Sequence, residues 1–386
     1  MSDERDIHRT IHLLEKLVAF NSTSHLSNLP ILDFIEHTLA PHSITCTRIS
    51  SPCGKKANLF ARIGGEAPGG MVLSGHTDVV PALGQAWDTD PFSLTEKNGR
   101  LYGRGTCDMK GFLACIMTLA PIWAQQARSK PIYLAFSYDE EIGCLGVPSM
   151  AARLAEFKPA YVLIGEPTMM QVVTAHKGVF SFETMVHGLE AHSSQPHLGV
   201  NAVHFAARLV SFLVALGAEI KQSGLRDERF TPPHSTLHVG VMEGGTARNI
   251  IPKSCYIHWE IRPLPGEDHQ AIIARIETYC RELEAEMQAV HHEARIESRP
   301  MSRMLGVTLP AHATHHAAAV KHAAGTNQEL AVSFGTEAGV FNHSGIPSII
   351  CGPGSIDQAH KPNEFVDISQ LELCLAFLKR LMDNNH

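Results

Sequence analysis

Histidines and carboxylates that could bind metal ions follow several short apolar runs of this sequence. His76 and Asp78 come after the run at 71–74, and Glu166 comes after the run at 161–164. Two residues apart on an extended segment, His76 and Asp78 point to the same side. The full set of candidate ligands is His76, Asp108, Glu141, Glu166 and His360. Two imidazoles and three carboxylates can hold two divalent ions if one carboxylate bridges them, and zinc, cobalt and manganese all accept such donors.

Each candidate ligand also has an ordinary structural explanation when it is taken alone. A single histidine is more often structural than metal-binding. Asp108 precedes an apolar helical segment and is a good N-cap residue, although a cap does not require the three glycines within 103–111. The acids at 139–141 could belong to a solvated loop. The metal interpretation therefore depends on the whole set.

The elements that must position these residues alternate between strands and helices. Strand-like apolar runs occur at 58–63, 71–74, 132–136 and 161–164, with helical segments at 110–123 and 147–157. This alternation predicts an α/β fold in which a mixed sheet is covered by helices on both faces. In open sheets of this type, sites form where the strands end.

The pattern changes between residues 177 and 299. The order there is β-α-β-β-α-β, which is typical of a small ferredoxin-like α+β sheet. After residue 300 the α/β pattern returns. The sequence therefore predicts a larger domain at 1–176 and 300–386, with a smaller domain inserted at 177–299.

Composition excludes several classes of partner. Among 386 residues, 32 are Lys or Arg and 39 are Asp or Glu, which gives a net charge of -7. An acidic chain without a basic run is a poor ligand for nucleic acid or an anionic membrane. We find neither a run of about 20 uninterrupted apolar residues nor a signal peptide. Nine cysteines without a CxxC pair are expected to be free thiols in the cytoplasm. The helical histidines His312, His315 and His316 are expected to lie on an exposed face.

Five segments, in this order, resemble a known enzyme family. They are SGHTDVVP, GRGTCDMKG, DEEIG, GEPT and the loop around His360. They resemble the di-zinc hydrolases that include acetylornithine deacetylases, desuccinylases, aminoacylases and glutamate carboxypeptidases. The resemblance implies a di-zinc peptidase fold, with a catalytic domain at 1–176 and 300–386 and a lid and dimerisation domain at 177–299. It also implies a homodimer, an N-acyl amino acid substrate and two Zn²⁺ per subunit, which Co²⁺ or Mn²⁺ could replace.

The resemblance gives each candidate ligand a role. One zinc ion would be bound by His76 and Glu166. The other would be bound by Glu141 and His360, and Asp108 would bridge the two ions. Members of the family hold the peptide bond after this Asp in the cis form, so the bond between Asp108 and Met109 is expected to be cis.

Further catalytic roles follow from the same resemblance. Asp78 would orient His76 through its second ring nitrogen. Glu140 would be the general base, taking a proton from the attacking water and giving it to the leaving amine. His192 of the inserted domain would reach the active site of the partner subunit and stabilise the oxyanion. The alternative for His192 is a buried structural histidine.

The resemblance also indicates residues that contact the substrate. Arg248 and Asn249 match the segment that meets the substrate carboxylate, although Arg248 could instead be in a salt bridge within its own domain. In the segment GTEAGVF, Thr336 and Glu337 are candidate contacts, and Glu337 is suited to a side-chain ammonium. Desuccinylases carry an Arg where this chain has Val340, which argues against a diacid substrate.

Within the family, the wording of these motifs looks most like that of the acetylornithine deacetylases, so the resemblance implies hydrolysis of N2-acetyl-L-ornithine to acetate and L-ornithine, a step of arginine biosynthesis. One alternative is an aminoacylase that acts on other N-acyl amino acids. Another is a non-catalytic metal-binding homologue, which the joint presence of Glu140 and all five ligands disfavours.

Overall fold

The computed structural model describes residues 2–126 and 128–383; the remaining five residues of the predicted larger domain lie outside this description. Its helices are α1 (Ser2–Val18), α2 (Leu29–Leu39), α3 (Gly111–Ala124), α4 (Val147–Ala155), α5 (Ala202–Ser223), α6 (His269–Gln288), α7 (Thr314–Ala324), α8 (Ala338–His343) and α9 (Ile368–Asp383).

The strands fall into four sheets. They are β1 (Cys46–Ser50), β2 (Ala57–Ile63), β3 (Met71–His76), β4 (Thr95–Lys97), β5 (Arg100–Tyr102), β6 (Ile132–Ser137), β7 (Tyr161–Pro167), β8 (Val173–His176), β9 (Val179–His187), β10 (Ala191–His192), β11 (Thr236–Gly244), β12 (Ile250–Ile251), β13 (Ser254–Arg262), β14 (Arg295–Met304), β15 (Val307–Thr308), β16 (Leu330–Val332), β17 (Ser348–Gly352) and β18 (Phe365–Asp367).

The chain divides into two compact units. The first contains the chain up to Ala175, Val307–Ala331 and the chain from Thr336 onward. The second contains His176–Gly306 and Val332–Gly335.

The first unit is built on a mixed sheet in the order β1-β2-β6-β3-β7-β17-β8-β15, and β16 pairs with β8. The four strands β6, β3, β7 and β17 are parallel to one another, whereas β1 and β2 pair in the antiparallel sense. Along β6, Ile132, Leu134 and Phe136 enter the core that α1, α3 and α9 share. Tyr133 points to the other face and stacks on Phe157, which follows α4, at 5.3 Å. Helices therefore cover both faces, and the predicted fold class is confirmed.

A small sheet of the first unit, β18-β5-β4, connects two loops. Tyr102 of β5 pairs with Phe365 of β18 in an antiparallel register. The loop that leaves β5 and the loop that enters β18 therefore begin side by side, and the N–H of Gly103 donates to the carbonyl of Glu364 at 3.0 Å.

The second unit is an antiparallel sheet in the order β11-β13-β9-β14 that packs against α5 and α6. Alternate residues of β9 are buried, as the sequence pattern predicts, and Phe182 of this strand stacks on Trp259 at 4.4 Å. The order β9-α5-β11-β13-α6-β14 is the predicted ferredoxin-like one, with the short strands β10 and β12 added.

The C-terminal limit of this unit differs from the predicted boundary at 299, because β14 continues to Met304 and the unit extends to Gly306. In the structure β14 lies at the sheet edge, and its register with β9 shifts between Pro300 and Ser302, which accommodates a residue without an N–H.

Two helical segments are long and apolar enough, by length and composition alone, to span a membrane. They are Thr106–Ala124, which is 89% buried, and Ala202–Ser223. The first is a core helix, and the second buries Ala206, Leu209 and Leu213 against its own sheet. Among the helical histidines, His316 is not on an exposed face as predicted, because it stacks on Tyr161 at 4.8 Å.

Candidate metal centre

Three neighbouring strands bring candidate ligands to one edge of the mixed sheet. Because β3, β6 and β7 are parallel, their carboxyl ends lie at the same edge. His76 is the last residue of β3, and Glu166 is the last residue but one of β7. The acids at 139–141 follow directly after β6.

Asp108 lies between the two histidines. Its Oδ1 atom is 3.0 Å from Nε2 of His76, and its Oδ2 atom is 3.3 Å from Nε2 of His360. The peptide bond to Met109 is cis, which confirms the expectation from the sequence. A carboxylate whose two oxygens face two different imidazoles is suited to bridge two metal ions.

The other two carboxylates each face one imidazole. Oε1 of Glu166 is 3.9 Å from Nε2 of His76, and Oε2 of Glu141 is 2.9 Å from Nε2 of His360. Donor atoms of His76, Asp108 and Glu141 all lie within 4.8 Å of one another. The structure thus brings all five candidate ligands together, with Asp108 in the middle.

The chemistry of this donor set fits divalent cations. Burial disfavours the charged form of His76, but the adjacent carboxylates, Asp108 first, outweigh burial and raise the imidazole pKa well above its usual value. Burial, followed by the charge of Asp108, raises the pKa of Glu141 to about 7 and that of Glu166 well above its usual range. Acids that raise one another's pKa in a buried cluster are stabilised when cations replace the protons.

Asp78 supports the site in a different way from the predicted one. Nδ1 of His76 donates to the backbone carbonyl of Asp78 at 2.8 Å, whereas the side-chain Oδ1 lies 3.7 Å away. A carbonyl only accepts, so Nδ1 carries a proton, and Nε2 is the nitrogen that would bind a metal ion once the ion displaces its proton. The Asp78 carboxylate instead accepts from the backbone N–H groups of Glu140 and Glu141, at 3.2 and 3.3 Å, and from Oγ of Ser24 at 2.7 Å.

Glu140, the predicted general base, lies beside the candidate ligands. Its donor atom lies within 4.8 Å of those of His76 and Glu166, and its side chain is buried. Burial raises the pKa of Glu140 well above its usual value, with a further contribution from the charge of Glu141, which favours a carboxylate that can accept a proton. Sγ of Cys144 lies 3.5 Å from Oε1 of Glu140.

Two supporting residues were missed in the sequence, Lys56 and Glu364. Asp139 precedes Glu140 with a positive φ of 57°, and its Oδ1 accepts from Nζ of Lys56 at 2.6 Å. The N–H of Asp108 donates to Oε1 of Glu364 at 3.0 Å. These pairs are 83 and 256 residues apart in the chain, so no local spacing indicates them.

The structure corrects the predicted role of Glu337. This carboxylate is 0% exposed, and it accepts from Oγ of Ser74 at 2.5 Å and from Oγ of Ser137 at 2.8 Å. Both oxygens are thus used inside the first unit, and neither is presented to a substrate ammonium. Thr336 is also fully buried, and its Oγ1 accepts from the N–H of Ala338 at the start of α8.

The remaining predicted site residues belong to the second unit. His192 ends β10, which pairs with β12, and it is exposed rather than buried. Its Nδ1 atom accepts from the N–H and Oγ of Ser194, at 3.1 and 2.8 Å. A ring whose Nδ1 accepts carries its proton on Nε2, so the exposed nitrogen can donate a hydrogen bond.

Arg248 and Asn249 lie in the exposed turn that precedes β12. The carbonyl of Asn249 accepts from the N–H of Ser193 at 3.1 Å, which links this turn to His192. Across residues 2–126 and 128–383, no carboxylate lies within 4.0 Å of the Arg248 guanidinium, so the alternative of an internal salt bridge is not observed.

Residues 72–384 of the chain match the sequence family described as peptidase family M20/M25/M40. A relative from Myxococcus xanthus, named acetylornithine deacetylase, is 36% identical over 375 residues, which cover 95% of each chain.

Two solved structures share the fold at low sequence identity. One is an M20 family metallo-carboxypeptidase from Sulfolobus solfataricus, with a TM-score of 0.78, 17% identity, and coverage of 97% of this chain and 98% of that chain. The other is a dinuclear metal-binding M20 peptidase from Bacillus subtilis, with a TM-score of 0.65, 16% identity and 98% coverage of both chains.

Proposed function

The chain belongs to peptidase family M20/M25/M40 and is a metal-dependent amidohydrolase, and we propose that it hydrolyses N2-acetyl-L-ornithine to L-ornithine and acetate. The observation that carries the proposal is that all five candidate ligands and Glu140 lie together, in a chain aligned almost end to end with a relative named acetylornithine deacetylase. The step would belong to arginine biosynthesis. We place the enzyme in the cytoplasm, a compartment that suits its nine free cysteines.

Two Zn²⁺ ions per subunit fit the donor set, and Co²⁺ or Mn²⁺ could replace them. His76 and Glu166 would hold one ion, Glu141 and His360 the other, and Asp108 would contact both. Bound there, the two cations would polarise the amide carbonyl and make a water molecule more acidic.

Glu140 then performs the proton transfers. It takes a proton from the attacking water and gives it to the amine that leaves, and its burial helps it to hold that proton in between. The Asp78 carboxylate accepts a hydrogen bond from the backbone N–H of Glu140, and this contact fixes the backbone that carries the base. The non-catalytic alternative does not account for this arrangement.

The Glu337 carboxylate already accepts hydrogen bonds from Ser74 and Ser137, so it does not serve as the acidic partner of the ornithine side-chain ammonium. Arg248 has an unpaired guanidinium fork among the described residues and would bind the substrate carboxylate. The preference for a basic side chain is supported by the name of the relative from Myxococcus xanthus. The buried state of Glu337 favours the alternative of an aminoacylase with broader substrates.

A set of matched substrates separates these two functions. N2-acetyl-L-norvaline has the carbon chain of N2-acetyl-L-ornithine without its amine. For the deacetylase, kcat/KM should be about 10–100-fold higher with the ornithine derivative, since one charge-assisted contact contributes about 1.5–3 kcal/mol. Equal values for N2-acetyl-L-norvaline, or a higher value for N-acetyl-L-methionine, would identify an aminoacylase. N-succinyl-diaminopimelate should be the poorest substrate, because Val340 offers no charge to its extra carboxylate.

Kinetics with N2-acetyl-L-ornithine also test the role of Glu140 as the general base. Glu140→Gln keeps the size of the side chain but cannot take the proton, so kcat should fall by a factor of about 10²–10⁴. Metal analysis must show that the variant keeps both ions. A metal-loaded variant with wild-type kcat would remove Glu140 from the mechanism.

We propose further that the enzyme is a homodimer in which His192 acts on the partner's site. Its Nε2–H would donate to the oxygen that gains charge as the carbonyl is attacked, so His192→Ala should lower kcat by about 10²–10³. Homodimers of Glu140→Gln or of His192→Ala should keep little activity, but a mixed dimer would contain one site with intact Glu140 and intact His192. Activity that returns on subunit exchange supports the proposal, and mixed dimers that stay inactive refute it.

A further inference from the structure

A buried carboxylate outside the ligand set, Glu364, holds the loop that carries Asp108. Its Oε1 accepts from the N–H groups of Cys107 and Asp108, at 2.9 and 3.0 Å. Its Oε2 accepts from the N–H of Gly105 at 3.1 Å and from Nη1 of Arg104 at 2.7 Å. Both oxygens are therefore saturated with donors from one short segment.

Arg104, which donates to Glu364, also connects this carboxylate to the loop of His360. Nη2 of Arg104 donates to Oε1 of Gln85, and Nε2 of Gln85 donates to the backbone carbonyl of His360 at 2.8 Å. Nε1 of Trp87 also donates to Oε1 of Gln85, at 3.1 Å, and the Arg104 guanidinium lies 5.0 Å from the Trp87 ring. A continuous series of contacts thus connects the N–H of Asp108 to the carbonyl of His360.

These two ligands need such support because neither lies on a strand of the sheet: Asp108 lies at a kink in a short helical turn, and His360 lies in a loop. His360 has a positive φ of 64°, a conformation that L-residues rarely adopt without help from their surroundings. The strands β3 and β7 fix His76 and Glu166, whereas the sheet does not fix the positions of Asp108 and His360. A buried ion pair such as Arg104 with Glu364, each side chain 1% exposed, is also weak evidence for a role in stability alone.

We propose that Glu364, Arg104 and Gln85 are positioning residues that preform the half of the metal centre containing Asp108, Glu141 and His360. They act on the metal through the two loops and touch neither the metal nor the substrate. The inference depends on the two-metal site of the proposed function but not on the identity of the substrate.

Gln85→Met tests the inference with a side chain that is only partly buried, so the variant should fold. It keeps the length of the residue and removes the hydrogen bond to His360. Supporting residues of metal ligands typically contribute 10–100-fold in affinity, so the Kd of the ion held by Glu141 and His360 should rise by about 10–100-fold, measured by chelator competition with Zn²⁺ alone. With Co²⁺, the absorption spectrum of the ion bound by His360 should change.

The matched control is Gln126→Met. Gln126 accepts a hydrogen bond from Nη2 of Arg128 in the same unit, so the substitution removes the same kind of contact elsewhere. The control should bind both ions as the wild type does. If Gln85→Met also binds both ions as the wild type does, with an unchanged Co²⁺ spectrum, the inference is wrong.

A double-mutant comparison separates positioning from a general structural effect. In a His360→Ala background, Gln85→Met should cause no further loss of affinity, because the contact acts through His360. An equal loss in both backgrounds would overturn the inference. Since these titrations contain no substrate, a wild type that binds only one ion contradicts the proposed two-metal site, whereas failure of the positioning inference leaves two ions bound to the wild type.

Discussion

Replacing Glu337 by alanine should destabilise the metal-free protein, because this residue holds together two strands beneath the metal centre. Ser74 lies on β3, two residues before His76, and Ser137 ends β6 just before the acidic loop. Both hydroxyls donate to the Glu337 carboxylate inside a fully buried region. Burial raises the pKa of Glu337, and the two serine donors partly oppose that effect.

The magnitude follows from the two donors that the substitution leaves without an acceptor. A buried polar group that loses its partner costs about 1–3 kcal/mol. Glu337→Ala leaves two serine hydroxyls without an acceptor, so it should lower the free energy of unfolding by about 2–6 kcal/mol. Glu337→Gln retains one acceptor oxygen, so it should cost about half as much. The control is Glu372→Ala, at an exposed position of α9, which should change the free energy of unfolding very little.

Urea unfolding with a chelator present, followed by circular dichroism, measures these differences without the contribution of metal binding. Kinetics on the folded Glu337→Gln variant provide the second measurement. The ratio of kcat/KM for N2-acetyl-L-ornithine and N2-acetyl-L-norvaline should stay at the wild-type value. If stability is unchanged but this ratio falls towards one, Glu337 contacts the substrate ammonium and its assignment as a buried support is refuted.

Three other results are expected. Asp108→Ala should lower the occupancy of both metal ions, because each loses a ligand; two tightly bound ions in that variant by metal analysis would exclude the bridging role. Burial lowers the pKa of His176 to about 4, whereas an unfolded chain protonates near 6.5, so metal-free stability should fall by about 3 kcal/mol as the pH drops between these values. His176→Phe should remove this part of the pH dependence, and equal slopes in urea unfolding would contradict the assignment. Lys56→Met should lower kcat by about 10–100-fold with both metals retained, since it frees the residue before Glu140; unchanged kcat would show that the ion pair with Asp139 does not position the base.

Sequence patterns predict the part of the site that the strands position. His76, Glu166 and the acids after β6 could be expected to meet because parallel strands end at a common edge. The direction of Glu337 could not be predicted in this way. Its loop was expected near the site by resemblance, but only the packing of α8 determines whether its carboxylate points to a ligand or to Ser74. Asp78 shows the same limit, because its backbone carbonyl rather than its carboxylate contacts His76.

Hydrogen-bond saturation distinguishes the carboxylates of this region by their roles. Glu364 accepts four hydrogen bonds and Glu337 accepts two from serine hydroxyls, so their lone pairs are used within the protein. Glu166, in contrast, lies 3.9 Å from His76, beyond hydrogen-bond length, and its pKa is well above the usual value. A buried carboxylate without protein donors must bind either a proton or a cation. On that physical ground we propose that Glu166 takes up a cation in the metal-bound enzyme and that Glu364 and Glu337 act as supports, although all three are buried glutamates of the same unit.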